Sequence, residues 1–160
     1  MRHPLSFFQH AAVMITRALN KHVVQSGTPG NQQSFRGTSI PSAELAFFTV
    51  AGRKYRAPMF IASSFDKHVA TGFMNRSKQK VPENEPVMFT FNVPAECKHV
   101  NRLEGLDEQE YLFTTYTGFM ISSPCRSVIG ADGASYHEVI IDVALDNKAF
   151  PSDADLCKWH

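Results

Sequence analysis

Val87-Met88-Phe89-Thr90-Phe91-Asn92-Val93-Pro94 is the segment on which the fold turns. Val87, Phe89, Phe91 and Val93 fall on one side, and Met88, Thr90 and Asn92 on the other. That period of two is what a pleated backbone imposes on side-chain direction. One face is wholly apolar, so the strand must cover a core. Downstream, residues 108–122 are β-rich, with Tyr111, Phe113, Tyr116 and Phe119. Pro124, Gly130 and Gly133 mark residues 123–135 as a hairpin connection, and residues 137–145 (HEVIIDVAL) read as a last strand before a polar tail. Upstream, residues 34–37 read as a short strand, 46–50 as a β-rich apolar run, 52–56 as a polar turn and 59–62 as a further strand.

Two segments carry the helical period instead. In residues 4–24, Phe7, Ala11, Met14, Ile15, Leu19 and Val23 recur at helical spacing, with Pro4 tolerated in a first turn. Residues 65–74 place Val69, Ala70 and Phe73 on a short helix. Residues 25–33 and 101–107 read as loops, as does the polar stretch 75–86, where Lys78 and Lys80 would be solvated charges that could add attraction for phosphate. One helix followed by many short strands predicts an α+β fold with a mostly antiparallel, two-sheet β core over residues 34–145. The length of 160 residues predicts a single domain.

Composition narrows the class. With 43% hydrophobic and 19% charged residues the chain reads as globular rather than disordered. A formal charge of +1 gives no ground for bulk attraction to nucleic acid or membrane. Cys97, Cys125 and Cys157 match neither a zinc pattern nor a disulfide framework, and read as free thiols in a reducing compartment. The seven histidines show no metal-site spacing, so no metal is expected. No apolar run approaches the roughly 20 residues of a membrane helix, and residues 1–20 lack a signal-peptide core. Residence in the cytoplasm, or secretion as an effector by a signal-independent route, is the expectation.

The chemistry is concentrated in a few short motifs. Glu108 and Glu110 are two apart at a strand start, so both carboxylates share one face, with Cα atoms roughly 6–7 Å apart. One could stabilise a developing cation on a sugar while the other polarises an incoming nucleophile. A bare Glu-x-Glu is far more often a solvated acidic strand entry, since motifs this short recur by chance. Arg36 beside Gly37 could form a bidentate contact to phosphate or carboxylate, and Gly37 would let a ligand approach the backbone. Ser63 and Ser64 point to opposite faces of a strand, so one of them can aim at the glutamate. Phe73 is either core packing or a ring on which a flat cation could stack.

The ordered set Phe35-Arg36-Gly37, Phe60-Ile61-Ala62-Ser63-Ser64 and Glu108-Gln109-Glu110-Tyr111-Leu112 resembles the Arg–Ser–Glu class of mono-ADP-ribosyltransferases, which includes clostridial binary toxins and vertebrate arginine-modifying ectoenzymes. The resemblance spans about residues 19–122. It implies an ADP-ribosyltransferase-like fold and NAD as substrate, with ADP-ribose passed to a protein side chain and nicotinamide released. It assigns Arg36, Gly37, Phe73 and Arg76 to the dinucleotide. Arg76 would meet the pyrophosphate and Phe73 the nicotinamide ring. Glu110 would serve the ribose, and Glu108 an acceptor, by preference arginine. Ala62 stands where the family's first serine stands, which leaves Ser64 or Ser63 to steady Glu110. An NAD glycohydrolase using the same residues, or an inactive NAD-binding or interaction module, would have the same motifs. The His-Gly first motif of the poly-ADP-ribose-polymerase-like branch is not present at Phe35-Arg36-Gly37.

Overall fold

The alternating segment forms β4 (Glu85–Val93), flanked by β1 (Gln32–Ile40) and β8 (Ser135–Val143). The computed structural model describes residues 7–25, 32–97, 100–103 and 110–157. β1 runs antiparallel to β4 from Gln32↔Val93 to Ile40↔Glu85, and β8 runs parallel to it from Val87↔His137 to Asn92↔Asp142. The remaining strands are β2 (Lys54–Ala57), β3 (Ile61–Ser64), β5 (Val100–Leu103), β6 (Glu110–Phe113), β7 (Thr117–Ile129) and β9 (Asp155–Leu156). The order across the sheet is β5-β6-β3-β1-β4-β8-β7-β2-β9. Its pairings are antiparallel except β4–β8 and β2–β9.

The apolar face of β4 is the centre of the core: Val87, Phe89, Phe91 and Val93 are all fully buried. Their partners show that the sheet folds over on itself. Phe113 of β6 and Phe119 of β7 stand five places apart in strand order, about 24 Å in a flat sheet. Their ring centroids are 5.7 Å apart. Phe113 also meets Phe91 of β4 at 5.2 Å. The strands therefore make two facing layers, an α+β arrangement with a mostly antiparallel two-layer core.

The hinge between the layers is narrow. β1 and β3 share one paired position, Phe35↔Ser64. Beyond it β1 continues along β4 while β3 pairs with β6. The strands part there, and helix α3 (Lys67–Lys80) packs across β1 beside the opening, with Ala70 and Met74 buried. The approach is close at Gly37, where a Cβ would lie 1.8 Å from the Ala70 carbonyl oxygen and 2.8 Å from Met74 Cβ. Gly37 is thus required by helix packing. Asp66 caps α3, accepting a hydrogen bond from the His68 amide at 2.7 Å.

Several segments differ from the sequence expectation. The apolar run 46–50 is not a strand. Helix α2 (Ser42–Leu45) leads into a 3-10 turn, Ala46–Phe48, which sets Phe48 against Tyr55 and Phe89. A short buried apolar run has no period that tells strand from helix. The polar turn at 52–56 is mostly β2, whose Tyr55 is fully buried. Residues 75–80, read as loop, are the last turns of α3. Lys78 donates to the carbonyls of Pro82 and Asn84 at 2.7 and 2.6 Å, tying down the following turn. Residues 100–103 form β5 rather than loop. The hairpin between β7 and β8 is confined to residues 130–134.

The N-terminal helix, α1 (Phe7–Gln25), is present, but its apolar stripe is not buried at the centre: Met14 is 71% and Ile15 62% exposed. Asn20 ties the helix to Thr115: its amide donates to Thr115 Oγ1 at 3.0 Å and its carbonyl oxygen accepts from the Thr115 amide at 3.3 Å. Cys97, Cys125 and Cys157 form no disulfide among the described residues. Among the described residues no helix is long and apolar enough to cross a membrane.

Candidate active site

A cleft of about 420 Å³ opens where β1 and β3 part. Arg36, Gly37, Ser63, Ser64, Phe73, Arg76 and Glu110 all line it. These residues come from β1, β3, α3 and β6, so the tertiary fold gathers motifs that lie up to 74 positions apart (110 − 36). Glu108 lies outside the described residues.

Glu110 opens β6 and stands directly opposite Ser64 of β3 in the ladder. Opposed residues on one face bring their Cβ atoms to about 4.5–5.5 Å. Ser64 Oγ accepts the Asp66 amide at 3.1 Å, which occupies a lone pair and leaves the hydroxyl proton for another acceptor. Ser63 turns the other way: its hydroxyl donates to Ser34 Oγ at 2.8 Å, in a buried pair linking β3 to β1. The two serines are therefore separated in role by strand alternation. Ala62 pairs with Leu112, two steps along the ladder from Ser64, and contributes its backbone: its carbonyl accepts from Arg36 Nη1 at 2.9 Å.

That hydrogen bond anchors the Arg36 guanidinium, while its Nε is buried without a hydrogen-bond partner among the described residues. Burial lowers the guanidinium below the ordinary arginine value, and the nearby Glu110 carboxylate opposes the shift. An arginine remains protonated under either influence. The cost of burying this charge with a donor unspent is what an incoming anion would relieve.

On α3, Phe73 is 42% exposed, so it is not part of the core. The Arg76 guanidinium lies over its ring, 4.4 Å from the centroid. The ring therefore already receives a flat cation, at a distance normal for that attraction. Among the described residues Arg76 has no carboxylate partner. The cleft thus combines the Phe73 ring, the guanidinium groups of Arg36 and Arg76, and the Glu110 carboxylate.

No protein-family model and no curated protein sequence matches the chain. Solved structures do. Vis toxin, an ADP-ribosyltransferase from Vibrio splendidus, superposes with a TM-score of 0.64 at 17% identity, over 93% of this chain and 63% of its own. C3larvin toxin, an ADP-ribosyltransferase from Paenibacillus larvae, does so at 0.59 and 14% identity, over 88% of this chain and 74% of its own. The C3 exoenzyme of Clostridium limosum gives 0.56 and 14% identity, over 81% and 67%. The fold is that of an ADP-ribosyltransferase.

This ADP-ribosyltransferase fold spans just under two thirds of the length of the Vis structures. Its cleft also contains residues that the sequence motifs did not assign to it: Thr38, Ala70, Ser77 and Lys80. Ser77 bonds β1 through Ser39, whose amide donates to Ser77 Oγ at 3.0 Å, with the two hydroxyls 2.9 Å apart. Ala70, Phe73, Ser77 and Lys80 follow the helical period, so extending the helix past Met74 would have found them. Ser34, the partner of Ser63, carries no local signal, because the pair is made by strand register.

Proposed function

We propose that the chain is one catalytic domain that transfers ADP-ribose from NAD to a protein side chain and releases nicotinamide. The observation that carries the reading is the shared cleft of Glu110, Arg36, Phe73 and Arg76. One carboxylate, an arginine with an unspent buried donor and a half-exposed aromatic ring match the charge, the diphosphate and the pyridinium of NAD in turn.

The bond that breaks joins the ribose C1′ to the nicotinamide nitrogen. The leaving group is already cationic and departs neutral with the electron pair, so no acid is needed to protonate it. Positive charge then develops on the ribose, as in glycoside hydrolysis. Glu110 accepts a hydrogen bond from the ribose 2′-hydroxyl and stabilises that charge. Ser64 holds the carboxylate in place from across the ladder. Arg36 and Arg76 grip the diphosphate. Arg76 leaves the Phe73 ring to do so, which clears that face for the nicotinamide.

The acceptor is an arginine. Glu108, two residues before Glu110 on the motif that resembles arginine-modifying enzymes, takes the proton that the guanidinium nitrogen loses as it bonds to C1′. A Vis structure is in complex with agmatine, a guanidinium compound, which supports the same acceptor chemistry here. The test is mass spectrometry of a proteome incubated with the protein and labelled NAD. An ADP-ribosyl mass on arginine is expected. Label found only as free ADP-ribose would make the protein a glycohydrolase, and no consumption of NAD would remove the enzymatic reading.

A further inference from the structure

The dinucleotide reading accounts for Arg36 and Arg76 but leaves a further cation in the same cleft. Lys80 lies in the last turn of α3, one turn beyond Arg76, and lines the cleft with it. A four-residue step advances about 6 Å along the helix. Ser77, between them, is bonded to Ser39 of β1, so this end of the helix is fixed against the sheet rather than fraying. The neighbouring Lys78 is committed to the carbonyls of Pro82 and Asn84. Lys80 has no hydrogen-bond or ion-pair partner among the described residues.

Its direction along the helix decides what it can reach. Phe73, Arg76 and Lys80 succeed one another from the centre of α3 towards its C-terminus. A dinucleotide lying along this helix with nicotinamide at Phe73 brings its diphosphate to Arg76 and the adenosine side beyond. The helix C-terminus carries partial negative charge, which disfavours a phosphate there. A cation at Lys80 offsets it.

We propose that Lys80 binds the adenosine-side phosphate of the dinucleotide, sharing the diphosphate with Arg76. The assignment rests on the proposed use of NAD. It separates the ligand into two halves with different keepers: the nicotinamide half on Phe73 and Glu110, the adenosine half on Lys80. The contact is the same before and during bond breaking, so it contributes to binding and not to the chemical step.

The test compares wild type, Lys80→Ala and Lys80→Arg by calorimetry with NAD, ADP-ribose and nicotinamide mononucleotide, and by the kinetics of nicotinamide release. Lys80→Ala is expected to weaken NAD and ADP-ribose about five- to tenfold and leave nicotinamide mononucleotide unchanged. KM for NAD rises by the same factor at constant kcat, and Lys80→Arg restores both. A lysine that serves only the helix terminus would lower Tm on removal without moving KM. Unchanged NAD affinity in Lys80→Ala, or an equal loss for nicotinamide mononucleotide, overturns the assignment and leaves the NAD reading standing. A wild-type protein that binds no NAD overturns both.

Discussion

Ser64 and Glu110 face each other across the β3–β6 ladder, whereas Ser63, the adjacent residue, is bonded to Ser34 on β1. Strand alternation thus gives two neighbouring hydroxyls different duties. Ser64→Ala should lower kcat for nicotinamide release, with a stability loss limited to the hydrogen bond it gives up to the Asp66 amide. Ser63→Ala should leave kcat close to wild type and lower stability, because it leaves Ser34 with a buried unpaired hydroxyl at a cost of about 1–3 kcal/mol. Parallel kinetics and urea melts of the two variants decide the matter. Equal kinetic losses would refute the division of roles.

Two glycines offer opposite outcomes for the same substitution. A methyl at Gly37 would meet the Ala70 carbonyl at 1.8 Å, so α3 must move off β1. Gly37→Ala is expected to destabilise by about 1–3 kcal/mol or more. Gly72, inside α3, has nothing within 4 Å of the place an added methyl would occupy. Gly72→Ala should stabilise by about 0.5–1 kcal/mol through helix propensity and reduced freedom of the unfolded chain. Urea denaturation with a common m-value would measure both.

Arg36 combines a backbone anchor with a buried, unpaired Nε. Lysine supplies charge without the planar fork. Arg36→Lys should therefore raise Kd for NAD by about tenfold or more. It should also shrink the upward shift in Tm that saturating ADP-ribose gives the wild type. An undiminished shift would show that the Arg36 fork does not hold the diphosphate.

The pH dependence of stability has an identifiable contributor away from the cleft. Glu138 on β8 pairs with Arg126 at 2.7 Å and with Lys67 at 3.4 Å, joining β7 and the start of α3. Burial works to raise its carboxyl, but the Arg126 and Lys67 partners outweigh it and hold it below the ordinary glutamate value. A lowered folded-state value means that the unfolded chain binds the proton more tightly. The stabilisation is therefore complete above about pH 4.3 and is lost as pH falls through the lower folded value. Thermal melts between about pH 5 and about pH 3 should fall less steeply for Glu138→Gln than for wild type.

What could be read from the sequence divides along physical lines. β4 and β8 were legible because a strand with one buried face writes its period into the residues, as Phe89, Phe91, Val139 and Ile141 do. The 3-10 turn at Ala46–Phe48 was not, since a buried apolar run has no polar face to reveal its period. The end of α3 reads as loop in the sequence because Asn75, Lys78, Gln79 and Lys80 are all polar, and its anchoring comes from Ser39 on another element. In the cleft, Arg36, Ser64, Phe73, Arg76 and Glu110 were legible as motifs, and the fold brings them together. The pairing of Ser63 with Ser34 and the inclusion of Lys80 depend on register and helix length, which short motifs do not encode. Gly37 is needed for a reason its motif does not express: the space it leaves is taken by the Ala70 carbonyl.

Whether Glu110 acts on NAD is measured most directly as nicotinamide release by wild type and Glu110→Gln at saturating NAD with a guanidinium acceptor. Steady release by wild type, a fall of about 10²–10³-fold in Glu110→Gln, and ADP-ribose binding that survives the substitution are expected. Release by Glu110→Gln at the wild-type rate, or none from wild type, would contradict that role for Glu110.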